Sequence, residues 1–159
     1  MTDNAAWMET DGYIAIIHLN RPAARNALDP QMLVELADCW SRVRDDAEIR
    51  VAVVTGTGDA FCSGADLGRL IPLVSGGRPP EDEWDRRVLA DRDILGTALL
   101  RTFDVVKPVI AAINGHAIAG GMELVQGTDL RIASSAARFG VQEVKWAIFP
   151  GGGSTVRLP

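Results

Sequence analysis

The sequence predicts an α/β fold, and three observations carry that expectation. Short β-branched runs recur at residues 13–19, 50–55 and 109–113, segments with apolar residues at helical spacing lie between them, and glycine-rich passages join strands to helices. Tyr13 to Leu19 (YIAIIHL), bounded by Asp11-Gly12 and Asn20-Arg21-Pro22, reads as a strand. Asp29-Pro30 supplies an N-cap and a proline at the first helical position, and Met32, Leu33, Leu36, Trp40 and Val43 recur on one face, so a helix should run to about Asp46. Arg50 to Thr55 (RVAVVT) is almost continuously apolar and stops at Gly56-Thr57-Gly58, as expected of a strand covered on both faces. Val74 to Glu83, with two glycines and two prolines among charges, reads as an exposed loop inside the domain. Trp84 to Phe103 is helical in pattern, with Trp84, Val88, Leu95, Leu99 and Phe103 among its apolar positions. Lys107-Pro108 introduces the strand Val109 to Ile113, a helix should begin near Gly120-Gly121 and run through Leu124, and Asp129 to Ala133 is the next strand.

Length and charge bound the function. A chain of 159 residues buries roughly 70% of the surface it exposes when unfolded, enough for one domain over residues 1–159 without disulfides or metal. With 16 Lys and Arg against 21 Asp and Glu, the net charge is −5 and no basic run occurs, which argues against a phosphate-binding nucleic-acid protein. Cys39 and Cys62 stand outside any zinc-like spacing, so no metal is expected. The N-terminus lacks a signal-peptide pattern and no run of 18 apolar residues exists, so the expected address is the cytoplasm, away from membranes.

Two strand-to-helix passages are rich in small residues: Cys62-Ser63-Gly64-Ala65-Asp66-Leu67, and Asn114-Gly115-His116 through Gly120-Gly121-Met122-Glu123. Small residues at a helix start let a ligand approach free backbone N–H groups, and two such ends facing each other would make an oxyanion hole. Taken singly, each is equally explained as a tight turn. Glu123 and Glu143 lie among apolar neighbours, where an unpaired charge is costly. Two such glutamates can hold different protonation states and act as acid and base, or each can pair with an arginine such as Arg131 or Arg138.

These residues form a pattern. Leu19-Asn20-Arg21-Pro22 through Asn26-Ala27-Leu28, Ala60 through Leu67, Lys107 through Leu124, Asp129 through Ala133, Phe139-Gly140 through Glu143, and Pro150-Gly151-Gly152-Gly153 together resemble the crotonase, or enoyl-CoA hydratase/isomerase, superfamily in family order. The resemblance implies a spiral of ββα units. It also implies that a helical C-terminal region, which in the family follows the Pro-Gly-Gly-Gly motif and builds a trimer or dimer of trimers, is missing after Pro159. By the same resemblance the N–H groups of Ala65 and Gly120 form an oxyanion hole for an acyl-CoA thioester, each donor worth about 3–4 kcal/mol of barrier. Glu123 would activate water and Glu143 would deliver a proton to C2, giving hydration of a trans-2-enoyl-CoA. Ala24, Arg25 and the segment Ser63, Ala65, Asp66 and Leu67 would line the path of coenzyme A, which enters as part of the substrate rather than as a bound cofactor. The alternatives within this resemblance are an isomerase or acyl-CoA hydrolase, or a noncatalytic acyl-CoA-binding fragment.

The remaining candidates have plainer explanations. Gly56-Thr57-Gly58 lacks the third glycine of a dinucleotide fingerprint, because position 61 is Phe. Cys62 has no adjacent base and reads as a small buried hydrophobe; His18 and His116 read as structural. Trp7, Trp40 and Trp84 read as core or interface aromatics, and Trp146, three residues past Glu143, is a candidate border of an acyl pocket.

Overall fold

The computed structural model describes residues 4–158. The chain opens with a hairpin, β1 (Ala6–Asp11) and β2 (Ile14–Leu19), closed by a two-residue turn in which Gly12 takes φ +56. Polar residues on the outer half of β1 hide it from a hydrophobicity reading. β2 alternates as a half-buried strand should: Ala15, Ile17 and Leu19 are fully buried, while His18 faces the other way and stacks on Trp7 at 4.2 Å. The expected helix follows as α1 (Pro30–Asp45), with the Asp29 carboxylate accepting the Met32 N–H at 2.8 Å. Its inner face carries Met32, Leu33, Leu36, Trp40 and Val43, all essentially inaccessible, each aliphatic side chain contributing about 1.5–3 kcal/mol by burial. The Trp40 indole N–H donates to the Ala98 carbonyl at 3.1 Å.

β3 (Val51–Gly56) turns directly into β4 (Ala60–Cys62), which the sequence reading does not resolve. β3 was expected to be covered on both faces; instead Ala52 and Val54 are buried and Val51, Val53 and Thr55 only half-buried, so the strand has one core face. Next come α2 (Leu70–Val74), α3 (Glu83–Ala90) and α4 (Ile94–Ala98). The single helix expected over 84–103 therefore breaks at residues 91–93. The Asp91 carboxylate accepts the Asp93 N–H at 2.9 Å, a local bond that competes with helix propagation, and Leu100 at φ +56 ends the second piece. Then β5 (Val109–Ile113) and β6 (His116–Ile118) lead to α5 (Gly120–Gly127), and β7 (Leu130–Ala133) and β8 (Phe139–Gly140) lead to a 3-10 turn at Glu143–Trp146 and α6 (Ser154–Arg157).

The unit strand, short strand, helix is thus repeated. Long strands form a five-stranded sheet, β1-β2-β3-β5-β7, parallel except for β1, and short strands form a parallel sheet β4-β6-β8. This is the expected α/β spiral of ββα units. Because each long strand hands over to its short partner at the same end, the β4 and β6 exits lie side by side, and those exits carry the glycine-rich passages.

The loop over residues 75–82 is exposed, as expected, except for one side chain. Arg78 points inward and grips Asp85, which is completely buried at the first turn of α3. Its terminal nitrogens donate to the two Asp85 oxygens at 2.5 and 2.8 Å, and its Nε donates to the Arg69 carbonyl at 3.0 Å. The guanidinium holds the Asp85 carboxyl down at about 2, so the pair stays ionised across the physiological range.

Candidate functional site

After β4, Gly64 sits at φ +93 against the turn that starts α5. A Cβ there would lie 2.7 Å from the Ala119 Cβ and 3.0 Å from the Ile118 carbonyl, so only glycine lets the two backbones meet this closely. Ala119, with φ +51 and ψ −122, occupies a region that side chains rarely adopt, and its strain aims the next peptide inward. The two residues that follow these turns are Ala65 and Gly120. Among the described residues neither of their N–H groups donates to any oxygen, and a Cβ on Gly120 would lie 3.8 Å from the Ala65 nitrogen. Two unengaged donors side by side, one at a helix N-terminus, are suited to hold an oxygen that gains negative charge.

The Ala65 turn is held from below. Leu28 N–H donates to the Gly64 carbonyl at 2.8 Å and Asp66 N–H to the Leu28 carbonyl at 2.9 Å, while Ser63 N–H donates to the Arg25 carbonyl and the Ser63 hydroxyl to that of Ala24. Ala24, Arg25 and Ser63 thus form one continuous rim, with the Arg25 side chain exposed. Asp66 is engaged on both oxygens: one accepts from Arg21 at 3.0 Å and the other from the Gly68 and Arg69 amides. Its side chain therefore shapes the loop, and Leu67 beside it is exposed. Asn26, fully buried at φ +54, is a residue whose importance the sequence does not signal beyond its place in the motif. Its oxygen accepts the Arg21 N–H, and its nitrogen donates to the Thr57 and Ala60 carbonyls at 2.9 and 2.8 Å.

Glu123 and Glu143 line the same cavity as Ala65 and Gly120, a space of about 450 Å³ with otherwise mostly aliphatic walls. Neither pairs with Arg131 or Arg138: Arg131 instead caps the carbonyls ending α5, and Arg138 bonds its own neighbours' backbone. Glu123, one turn into α5, accepts the Gly152 N–H at 2.8 Å and the Ser154 N–H at 3.0 Å. That binds the turn at 151–153 to α5, and a Cβ on Gly152 would strike the Glu123 carboxylate at 2.6 Å. Glu143, 8% exposed, opens the 3-10 turn; its Oε2 is buried and has no partner. Burial, aided by the nearby Glu123 charge, pushes its carboxyl above the ordinary value of 4.5. The pair therefore contains one carboxylate anchored by two amides and one carboxyl whose proton is retained more strongly. The sequence pointed to both glutamates but not to the walls: Val88 and Leu95 were read only as apolar positions of a helix, and Ile71 and Phe149 were not singled out, because an apolar residue facing a cavity reads like one facing a core.

The other candidates fall away on position. Cys62 is fully buried and burial pushes its thiol to about 12, Gly56 packs against neighbouring backbone at the end of β3, and Trp146 is 61% exposed and does not line the cavity. His116 is exposed. Among the described residues there is no cluster of three or more metal-ligating side chains, and no helix is long and apolar enough to cross a membrane.

The enoyl-CoA hydratase/isomerase family matches residues 9–159. The chain is 43% identical over 153 residues to enoyl-CoA hydratase EchA19 of Mycobacterium tuberculosis, covering 96% of this chain and 55% of that protein. To the (E)-benzylidenesuccinyl-CoA hydratase of Thauera aromatica it is 42% identical over 153 residues, covering 96% and 56%. The crystal structure of an enoyl-CoA hydratase from Mycobacterium tuberculosis superposes with a TM-score of 0.80 at 34% identity, covering 99% of this chain and 56% of that one. The chain spans a little over half the length of the relatives it matches. Motifs, repeated ββα units and these similarities together show that the chain belongs to the enoyl-CoA hydratase/isomerase family of the crotonase superfamily.

Proposed function

We propose that this chain carries the reacting centre of an enoyl-CoA hydratase, which adds water reversibly across the C2=C3 bond of a trans-2-enoyl-CoA. The observation that carries the reading is the buried, unpartnered Oε2 of Glu143 in a cavity shared with Glu123 and two unengaged amides. A buried polar atom without a partner is costly, and a substrate or water that supplies the partner explains why it persists.

In this mechanism the thioester carbonyl oxygen accepts the N–H groups of Ala65 and Gly120. Water held between the carboxylates attacks C3 as Glu123 takes its proton, and the π electrons move through C2 onto the carbonyl oxygen. The enolate so formed collapses, and C2 takes the proton that Glu143 holds. Two acceptor bonds from backbone amides fix the Glu123 carboxylate in place beside the water, while burial raises the Glu143 carboxyl and so favours its role as the proton donor. The product is a 3-hydroxyacyl-CoA. Coenzyme A would pass along the rim formed by Ala24, Arg25 and residues 63–67, recognised largely through backbone groups. Names of two relatives as hydratases support this reaction over isomerisation or thioester hydrolysis.

The test is loss of the enoyl absorbance of crotonyl-CoA with the purified chain, folding being checked by circular dichroism. Hydration by the folded chain is expected; a folded chain that binds crotonyl-CoA without hydrating it would leave acyl-CoA binding as the function. The Gly64 contact adds a second expectation. Gly64→Ala must separate the Ala65 and Gly120 amides, so kcat for crotonyl-CoA should fall about 100-fold while the circular dichroism spectrum is retained.

A further inference from the structure

One wall of the cavity consists of short helices, packed on the core through Leu70, Leu73 and Val88. α2 has five residues and α3 eight, well below the length at which a helix is stable alone in water. Ile71 and Val74 of α2 and Val88 and Leu89 of α3 line the cavity, together with Phe149. Val74 and Leu89 are 55% and 47% exposed, so they border the space where it meets solvent, whereas Gly120 at the reacting end is buried.

A polar device behind that wall joins the two helices. Arg78 bonds the Arg69 carbonyl just ahead of α2 and, through both terminal nitrogens, the carboxylate of Asp85 in the first turn of α3. Asp85 also accepts the Glu81 N–H at 2.9 Å, and its own N–H donates to the Asp82 carboxylate at 2.8 Å. Arg69 reaches Asp82 at 2.9 Å, closing the network. Neither Arg78 nor Asp85 lines the cavity. Stability alone does not call for such a pair, since well-packed apolar residues of similar volume commonly serve as well or better than a buried ion pair. A two-pronged arginine–carboxylate contact contributes geometry: the planar fork sets both distance and angle between its attachment points.

We propose that the Arg78–Asp85 clasp positions the α2–α3 wall for the tail of the acyl group, so that the site takes extended apolar acyl chains and distinguishes them from short ones. The proposal rests on the reading of this cavity as an acyl-CoA site. Its ligand class follows from the lining: a cavity of about 450 Å³ with aliphatic walls exceeds what the four carbons of a crotonyl group fill, and Val74 and Leu89 continue that apolar lining to the solvent-exposed side. Asp85 and Arg78 are positioning residues here, acting through the wall and not on the reacting atoms.

The experiment measures calorimetric binding of butanoyl-CoA and decanoyl-CoA, which lack the reactive double bond, to the full chain. Asp85→Asn is compared with a paired variant, Arg78→Met with Asp85→Leu, chosen to restore packing without the fork, and thermal unfolding identifies which variants are folded. The parent is expected to prefer decanoyl-CoA by at least about tenfold, from methylenes buried against the wall. In the folded variant the preference should shrink below about threefold through weaker decanoyl-CoA binding alone, with KM for trans-2-decenoyl-CoA raised and kcat for crotonyl-CoA unchanged. Equal weakening of both ligands, or an unaltered preference, in a folded variant overturns the proposal. A parent that binds neither ligand overturns the acyl-CoA reading itself, and the positioning role with it.

Discussion

Glu143→Gln is expected to slow hydration of crotonyl-CoA by about 10²–10⁴-fold, the usual worth of a positioned acid or base, while making the folded chain more stable at neutral pH. The two effects have one cause. Burial raises the Glu143 carboxyl above its ordinary 4.5, so the folded state holds this proton more tightly than the unfolded state does. A group shifted in that direction contributes stability that is complete below the unfolded value and lost as pH rises through the folded value. At pH 7, above the unfolded value, the unfolded chain gains by releasing this proton and the folded chain gains less, a difference that glutamine, with no proton to release, removes. The Tm of Glu143→Gln should exceed that of the parent at pH 7, and the difference should vanish towards pH 4. A variant that is inactive and also less stable at pH 7 would show that Glu143 serves the fold rather than the reaction.

Glu123→Ala should slow hydration by a similar factor, about 10²–10⁴-fold, but with the opposite effect on stability. Its two oxygens receive the Gly152 and Ser154 amides, and removing the carboxylate leaves both donors buried without partners, at about 1–3 kcal/mol each. The Tm should fall at every pH where the parent is folded. Glu123→Gln should lie between, because an amide oxygen can keep one donor while its NH₂ opposes the other. Two glutamates of one cavity would thus be separated by thermal unfolding alone, the anchored one destabilising and the unpartnered one stabilising when replaced.

Much of this arrangement was legible in the residues. α1 was marked at both ends by Asp29-Pro30 and by the spacing of Leu33, Leu36, Trp40 and Val43, and β5 by its β-branched residues. The glycine passages and both glutamates stood out because each breaks a local rule: small residues where a strand should continue, and charges among apolar neighbours. β1 was missed because Glu9, Thr10 and Asp11 face solvent, and β4, β6 and β8 because two or three residues are too few to show a period. The break between α3 and α4 depends on one Asx bond at Asp91, which competes with a helical pattern that otherwise runs on. The inward turn of Arg78 had no local signal, since an arginine between glycine and proline looks like any solvated loop residue until Asp85 is seen to be buried. Long-range pairing of this kind is written in no window of sequence.

The order of the main sheet carries a consequence for how the chain reaches this state. β1 and β2 meet across a two-residue turn, but β2 must wait for β3 on the far side of α1, β3 for β5 beyond three further helices, and β5 for β7 beyond α5. Parallel pairing of distant segments means closing long loops before contacts reward them, which places such chains among slow folders. The hairpin with α1 and β3 is the part that can assemble first, burying Ile17, Leu36 and Val54 together. The Ala65 and Gly120 amides come together only through the long-range pairing of β4 with β6. This topology therefore lets a refolding chain bury its first apolar cluster before those two amides face each other.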